Sequence, residues 1–295
     1  MSKVVQVAAP VIFVVLWSSA FIAAKFGLTH VEPLTFMASR FGLVTAIFVI
    51  IALITGARWP TTVRGVFDIA VVGFFLHAVY LSSIFIAIHS GMPSALVALV
   101  TGLQPVLTAI ASGLFLGEPP TRRQWLGCFV GFVGMALVLS DRMSVNGVSM
   151  TGIGLSVLAL VSISIGTLYQ KRYATDMNLI TGSAIQCATA FLVTLTGAAL
   201  FESMLLVPEP AFIGAYLWLS LVVSLGAYSL LMTLIKHGQA TKVASLFYLV
   251  PPTAAVMAYI AFGEVITPVA GAGILVTAIG VALVVFSQSH SGQRH

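Results

Sequence analysis

The sequence predicts an all-α integral membrane protein, with ten transmembrane helices arranged as two inverted five-helix repeats. Three observations carry that expectation. The 295 residues are 59% hydrophobic and only 7% charged, with a mean hydropathy of +1.10, whereas a soluble domain carries about 25% charged residues. Apolar runs near the ~20 residues that span a bilayer as a helix fill almost the whole chain. A β-barrel would show alternating segments of about ten residues instead, and backbone in lipid must satisfy its own hydrogen bonds, which a continuous run does as a helix. Finally, the second five runs echo the first five.

In order, the spans are expected at 7–28, 34–55, 67–88, 93–116 and 123–140, then at 151–170, 179–200, 212–235, 241–262 and 268–287. The first run begins after Lys3 and continues to Leu28. That is too long for a signal peptide, so it reads as a retained first helix. The fourth and ninth spans show the repeat most plainly. PVLTAIASGLFLGE (Pro105 to Glu118) and PPTAAVMAYIAFGE (Pro251 to Glu264) both start at proline and end in Gly-Glu. The register then holds, with Thr121 answering Thr267, Gly127 answering Gly273 and Gly134 answering Gly280. The first repeat is assigned to 1–146 and the second to 147–295. A duplicated five-span unit is the pattern of a secondary transporter whose substrate path lies between the halves.

Basic residues set the orientation. One side of the membrane receives Lys3, Arg58, Arg64, Arg122, Arg123, Lys171, Arg172, Lys236, Lys242 and Arg294, and the other receives Lys25, Arg40 and Arg142. The richer side is cytoplasmic by the positive-inside rule, so both termini lie inside. Five spans per unit is an odd number, so the second unit runs upside down relative to the first. The net charge of +5 then reflects topology, and no nucleic-acid partner is expected. Cys128 and Cys187 fall inside spans and read as small packing residues.

All eight acidic residues are expected in loops or at helix ends, so no intramembrane carboxylate is in place for proton coupling. Neither a Walker sequence nor a nucleophile, metal or paired-aspartate set is visible. No catalytic residue, metal or cofactor is therefore expected, and the chain is not expected to be an enzyme.

The paired Gly-Glu-x-x-Thr segments (Gly117-Glu118…Thr121 and Gly263-Glu264…Thr267) and the opening Trp17-Ser18-Ser19-Ala20-Phe21…Lys25, with Lys171 in the matching place, resemble the EamA-type exporters of the drug/metabolite transporter superfamily. Within it, the exporters of aromatic and other amino acids are the nearest match. The resemblance covers essentially the whole chain. It implies a ten-helix fold around a central cavity, export of small metabolites, and residence in a bacterial inner membrane. The second repeat departs from the pattern in having Ile163 at the place of Trp17.

Candidate substrate-binding residues are polar or amphipathic side chains far from the loops, where each needs a partner or a water-filled cavity. Trp17 sits halfway along the first helix and suits a cavity wall that stacks on an apolar or aromatic substrate, or else simple packing. His77 and Tyr80 share a face of the third helix and either meet a substrate carboxylate or bond across helices. Thr101 and Gln104 precede Pro105, which frees the Thr101 carbonyl. Tyr248 precedes Val250-Pro251-Pro252, where two prolines suggest a sharper distortion or an ordinary packing kink. Ser164, beside Ser162 and Thr167, and Tyr228, beside Ser224 and Ser229, are weaker candidates, because hydroxyls in membrane helices often serve as interhelical glue. Gly113–Gly117 and Gly127–Gly131 permit close helix approach, inside the chain or in a dimer. Lys25 and Arg40 are expected to snorkel to the outer interface, Arg40 being the deeper and open to a role at the outer mouth. Glu118 and Glu264 read as structural, ahead of helix-capping threonines.

The expectation is a monomeric secondary carrier or uniporter, with membrane lipid around it, exporting amino acids and other small amphiphilic metabolites by alternating access. An exporter of cationic drugs or polyamines is a second reading. A lipid-acting enzyme and a membrane scaffold are readings from other classes.

Overall fold

The computed structural model describes residues 3–29, 31–104, 106–108, 111, 121–143, 149–227, 230, 249–263 and 265–288. Among them there is no strand, only an isolated antiparallel bridge between Val31 and Leu206. The helices are α1 (Lys3–Gly27), α2 (Pro33–Thr55), α3 (Val63–His89), α4 (Ser94–Thr101), α5 (Arg122–Met143), α6 (Met150–Tyr173), α7 (Leu179–Phe201), α8 (Pro210–Ala227), α9 (Val250–Phe262) and α10 (Pro268–Gln288). Six of them, α1, α2, α3, α6, α7 and α8, are long and apolar enough to cross a membrane over their described residues. Pro105, Glu118, Tyr228, Tyr248, Glu264 and the 146/147 repeat boundary lie outside the described residues, as does the Gly113–Gly117 pair.

Local chemistry sets the helix starts. Asn178 Oδ1 accepts from the N–H groups of Ile180 (3.0 Å) and Thr181 (3.3 Å) at the head of α7. Ser149 Oγ accepts from Gly152 N (2.9 Å) at the head of α6, and Thr62 Oγ1 from Gly65 N (3.1 Å) at the head of α3. These are N-caps that satisfy otherwise orphaned donors. Proline opens α2 and α8, where its missing N–H costs nothing. Pro251 and Pro252 lie in the first described turn of α9.

A shift of 146 positions (263 − 117) superposes the repeats in sequence. It carries α2, 33–55, onto 179–201, the bounds of α7. These equivalent helices pack side by side and antiparallel. Glu202, just past the end of α7, accepts from Leu34 N and Thr35 N (2.7 Å each) and Thr35 Oγ1 (2.8 Å) at the head of α2. Glu32, just before α2, accepts from Ser203 N (2.7 Å) and Ser203 Oγ (2.6 Å). The Ser203 hydroxyl and N–H hold the Glu32 carboxyl below the usual carboxylate range. At the opposite end Thr181 Oγ1, in the first turn of α7, donates to Arg58 O beyond α2 (2.9 Å). Each helix start is thus tied to the other's finish.

The equivalent pair α5 and α10 also runs antiparallel, at backbone contact. A Cβ on Gly134 would come 2.7 Å from Gly273 O, and one on Gly280 would come 2.6 Å from Gly127 O. Two further contacts obey the same exchange: α3 packs on α6 as α8 packs on α1, and α1 on α9 as α6 on α4. The Gly127–Gly131 stripe is spent inside the chain.

Gly280→Ala should overpack this contact and cost about 1–3 kcal/mol, read as a lower unfolding temperature in detergent. Glu202→Ala removes three accepted bonds from the α2 head. It should cost about 1–3 kcal/mol, the range for bonds to a charged group, with Glu202→Gln in between.

Candidate functional site

Two segments of the bundle wind wider than an α-helix. Phe74–Val79 within α3 and Trp218–Ala227 within α8 are π-helical. Such turns are rare and cluster at functional sites. The 146-residue shift carries 74–79 onto 220–225, inside the second segment, so the two widened turns are repeat equivalents.

Each faces a polar residue from the opposite repeat, and those residues are equivalents too, since 40 + 146 = 186. On one side His77 Nε2 lies 3.2 Å from Gln186 Oε1 of α7, a contact that calls for the Nε2–H tautomer as donor. Gln186 is buried at 2% exposure, and its Nε2 donates to Met177 Sδ (3.5 Å). On the other side Arg40 Nη2 of α2 donates to Ser224 Oγ of α8 (3.0 Å). Ser224 Oγ in turn donates to Leu219 O, five residues back (2.9 Å). Phe41 lies between the two pairs, its ring centroid 5.8 Å from the His77 ring and 5.9 Å from the Arg40 guanidinium carbon.

Backbone approach differs between the halves. A Cβ on Gly73 would sit 2.6 Å from Gln186 O, so α3 rests directly on α7. The equivalent of Gly73 is Leu219 (73 + 146), which is fully buried. Arg40 does not snorkel to the outer interface as expected. It is 5% exposed, and its bond to the α8 hydroxyl of Ser224 holds it inside. Lys25 does sit near its helix end, 4.1 Å above the Phe262 ring. Asp68, expected in a loop or at a helix end, lies in the second turn of α3, buried, and accepts from Tyr169 Oη (2.7 Å).

The other predicted residues fall in separate neighbourhoods. Trp17 is half-buried, 5.4 Å from the Phe13 ring, and Tyr80 is buried directly after the α3 π segment. Both belong to the main apolar core. Gln104 Nε2 donates to Thr167 Oγ1 (3.3 Å), linking the end of α4 to α6. The Thr101 hydroxyl donates to Val97 O (2.8 Å) and that of Ser164 to Leu160 O (2.8 Å), so both are spent on their own helices. Ser162 instead reaches across, donating to Phe75 O in the α3 π segment (2.9 Å). Tyr228 and Tyr248 lie outside the described residues. Helix α4 loosens after Thr101, where Leu103 N bonds to Val100 O (3.1 Å) and Val106 N to Leu103 O (2.9 Å).

A cavity of about 460 Å³ opens between α1, α8 and α9. Its lining includes Ser19, Phe26, Trp218 and Ile260 and none of the six predicted residues that are described. Its polar feature is Trp218 Nε1 donating to Ser19 Oγ (2.8 Å). Sequence reasoning passed over Arg40 and Gln186 as a pair, though the repeat register alone places two polar residues at equivalent mid-helix positions.

Comparison with known proteins agrees with this architecture. The family model of the EamA-like transporters matches residues 6–140 and again 150–286. The chain belongs to the EamA-like transporter family. It is a membrane transporter and not an enzyme. A Salmonella typhimurium protein named "Probable amino-acid metabolite efflux pump" is 26% identical, with 92% of each chain covered. An Escherichia coli protein of the same name is 25% identical, again with 92% of each covered. A Bacillus subtilis protein named "Uncharacterized transporter YvbV" is 27% identical over 92% of this chain and 88% of its own. One crystal structure superposes with a TM-score of 0.68 at 19% identity, covering 96% of this chain and 97% of the other, a likeness of fold.

In this EamA-like chain the His77–Gln186 contact crosses the repeats, so Gln186→Leu tests its worth. Cross-helix bonds in membranes average about 0.6 kcal/mol and reach about 1.7. Unfolding in mixed micelles should show a loss within that range.

Proposed function

We propose that this EamA-like transporter exports amino acids and related small amphiphilic metabolites across a bacterial inner membrane, with both termini cytoplasmic. One observation carries the reading: equivalent helices of the two repeats are paired antiparallel, with a widened turn of each repeat set against a polar residue of the other. Inverted repeats related in this way exchange conformations by a rocking motion, which opens the seam to one face and then the other. The π turns are natural flexing points, because each holds its backbone in a register that a normal turn would shift.

The amino-acid class follows from the names of the two efflux-pump relatives and from the amphipathic character of Trp17, His77, Tyr80 and Gln104, which are assigned to the substrate path with Tyr248. Thr101, Ser164 and Tyr228 are assigned supporting places on the same helices. A buried arginine at the seam disfavours cationic drugs and polyamines, since like charges at low dielectric repel strongly. With Arg40 inside the bundle, the outer face keeps only Lys25 and Arg142 against ten basic residues inside, which favours cytoplasmic termini.

Two experiments test this. Liposomes loaded with unlabelled phenylalanine should draw in labelled phenylalanine by counterflow without a pH gradient. Trp17→Ala and Gln104→Ala should cut that flux by about tenfold, the effect of ~1.4 kcal/mol of lost contact, in protein that still inserts and folds. Silence toward every amino acid refutes the substrate class. In a Cys128→Ser, Cys187→Ser background, single cysteines at Ala57 and Thr175 should label from the cytoplasm, and those at Ser90 and Met204 from outside. Labelling of Ala57 and Met204 from one face refutes the inverted topology.

A further inference from the structure

We propose that Arg40 is the carboxylate-binding residue of the substrate path, and that Ser224 holds its place while the path is empty. The proposal rests on the carrier reading above and narrows its substrates to molecules bearing a carboxylate, amino-acid zwitterions among them.

The guanidinium of Arg40 is permanently charged and 5% exposed. Among the described residues it meets no carboxylate. Arg64 pairs with Asp68, at 3.9 Å, and Glu32 and Glu202 are spent on the loops that clamp α2 to α7. What Arg40 has is one hydroxyl and one aromatic ring. A buried cation without a counter-ion is costly unless its partner arrives by another route.

The unpaired atom gives that partner a shape. Nε of Arg40 is buried with no acceptor, while Nη2, on the same edge of the fork, is bonded to Ser224 Oγ at 3.0 Å. That edge is the one a carboxylate takes with both oxygens at once. A hydroxyl fills half of it and a carboxylate fills all of it. Ser224 stands on the α8 π segment and is tied to Leu219 O across the widened turn. A change of register there withdraws the hydroxyl and frees both donors together.

The equivalent position in the other repeat sharpens the assignment. Gln186 is neutral, and both ends of its amide are occupied, by His77 and Met177. The polar side chain at that half of the seam is satisfied within the protein. The one at Arg40 is not, so the charge-recognising half of the path is the α2–α8 half.

The test is a ligand pair differing only in the carboxylate. Purified wild-type protein is titrated with phenylacetate and with phenylacetamide, following thermal stability, because a ligand stabilises the state it binds. Phenylacetate should raise the unfolding temperature and phenylacetamide should not. Arg40→Gln should weaken the phenylacetate response at least about tenfold. Arg40→Lys, which keeps the charge and loses the fork, should fall between. Equal shifts with the two ligands, no shift with either at millimolar concentration, or a phenylacetate preference that survives in Arg40→Gln would each overturn the proposal. Should Arg40→Gln not fold, the wild-type comparison and Arg40→Lys still decide. Phenylalanine counterflow on the same preparation separates the two claims. A silent counterflow with a carboxylate-selective shift removes the amino-acid class and keeps the Arg40 site. Active counterflow without selectivity does the reverse.

Discussion

The structure depends on backbone-to-backbone pairing of equivalent helices across the repeats. In lipid, apolar surface gains little by leaving its surroundings, so helices associate through van der Waals contact, hydrogen bonds and small residues that let backbones approach. The α5–α10 contact uses the third of these, with Gly134 and Gly280 each set against a partner backbone. The α2–α7 contact uses the second, with Glu202, Glu32 and Thr181 tying each helix start to the loop beyond the other. Both pairings need the helices to be antiparallel, and an odd number of spans per repeat delivers that.

Within that frame, many polar groups in the membrane are spoken for, though the hydroxyls of Thr45, Ser82, Thr108 and Ser220 are buried without a partner. Thr101, Ser164 and Thr194 return their hydroxyls to their own helices. Ser18 reaches α9 at Val250 O (3.3 Å), and Tyr216 reaches Ser39 O in α2 (3.1 Å). Against so much internal satisfaction, a charged group with a donor left over is the exception. Native proteins leave buried donors unpaired seldom, and each case asks for a reason.

Much of this was legible in the residues. Hydropathy gave the order of the described helices, and α2, α7 and α10 begin within about a residue of where apolar periodicity places them. The Gly-Glu-x-x-Thr pair gave the register that later identified Arg40 with Gln186. The enclosure of Arg40 was not legible. Seven residues into α2, an arginine with a long flexible stem reads as a snorkelling side chain. Its bond to Ser224 on the α8 π segment appears only once the helices are packed. The π turns were hidden for a related reason, since no residue type marks them and they arise from how α3 and α8 settle against their neighbours. Thr101 and Ser164 looked like ligands because composition shows a hydroxyl but not which carbonyl it has already taken.

The near-symmetry makes small sequence differences consequential. A pseudo-two-fold relation makes the two halves of the bundle geometrically equivalent, so geometry alone favours neither face. Any preference must come from positions where the repeats differ. The exchange of Gln186 for Arg40, of Gly73 for Leu219 and of Ile163 for Trp17 puts three such differences along the seam. One substitutes charge for a neutral amide, one changes how closely backbones can lie, and one places an indole opposite an aliphatic side chain. Charge acts over the longest range of the three at low dielectric, which makes Arg40 the strongest single source of inequality between the two halves.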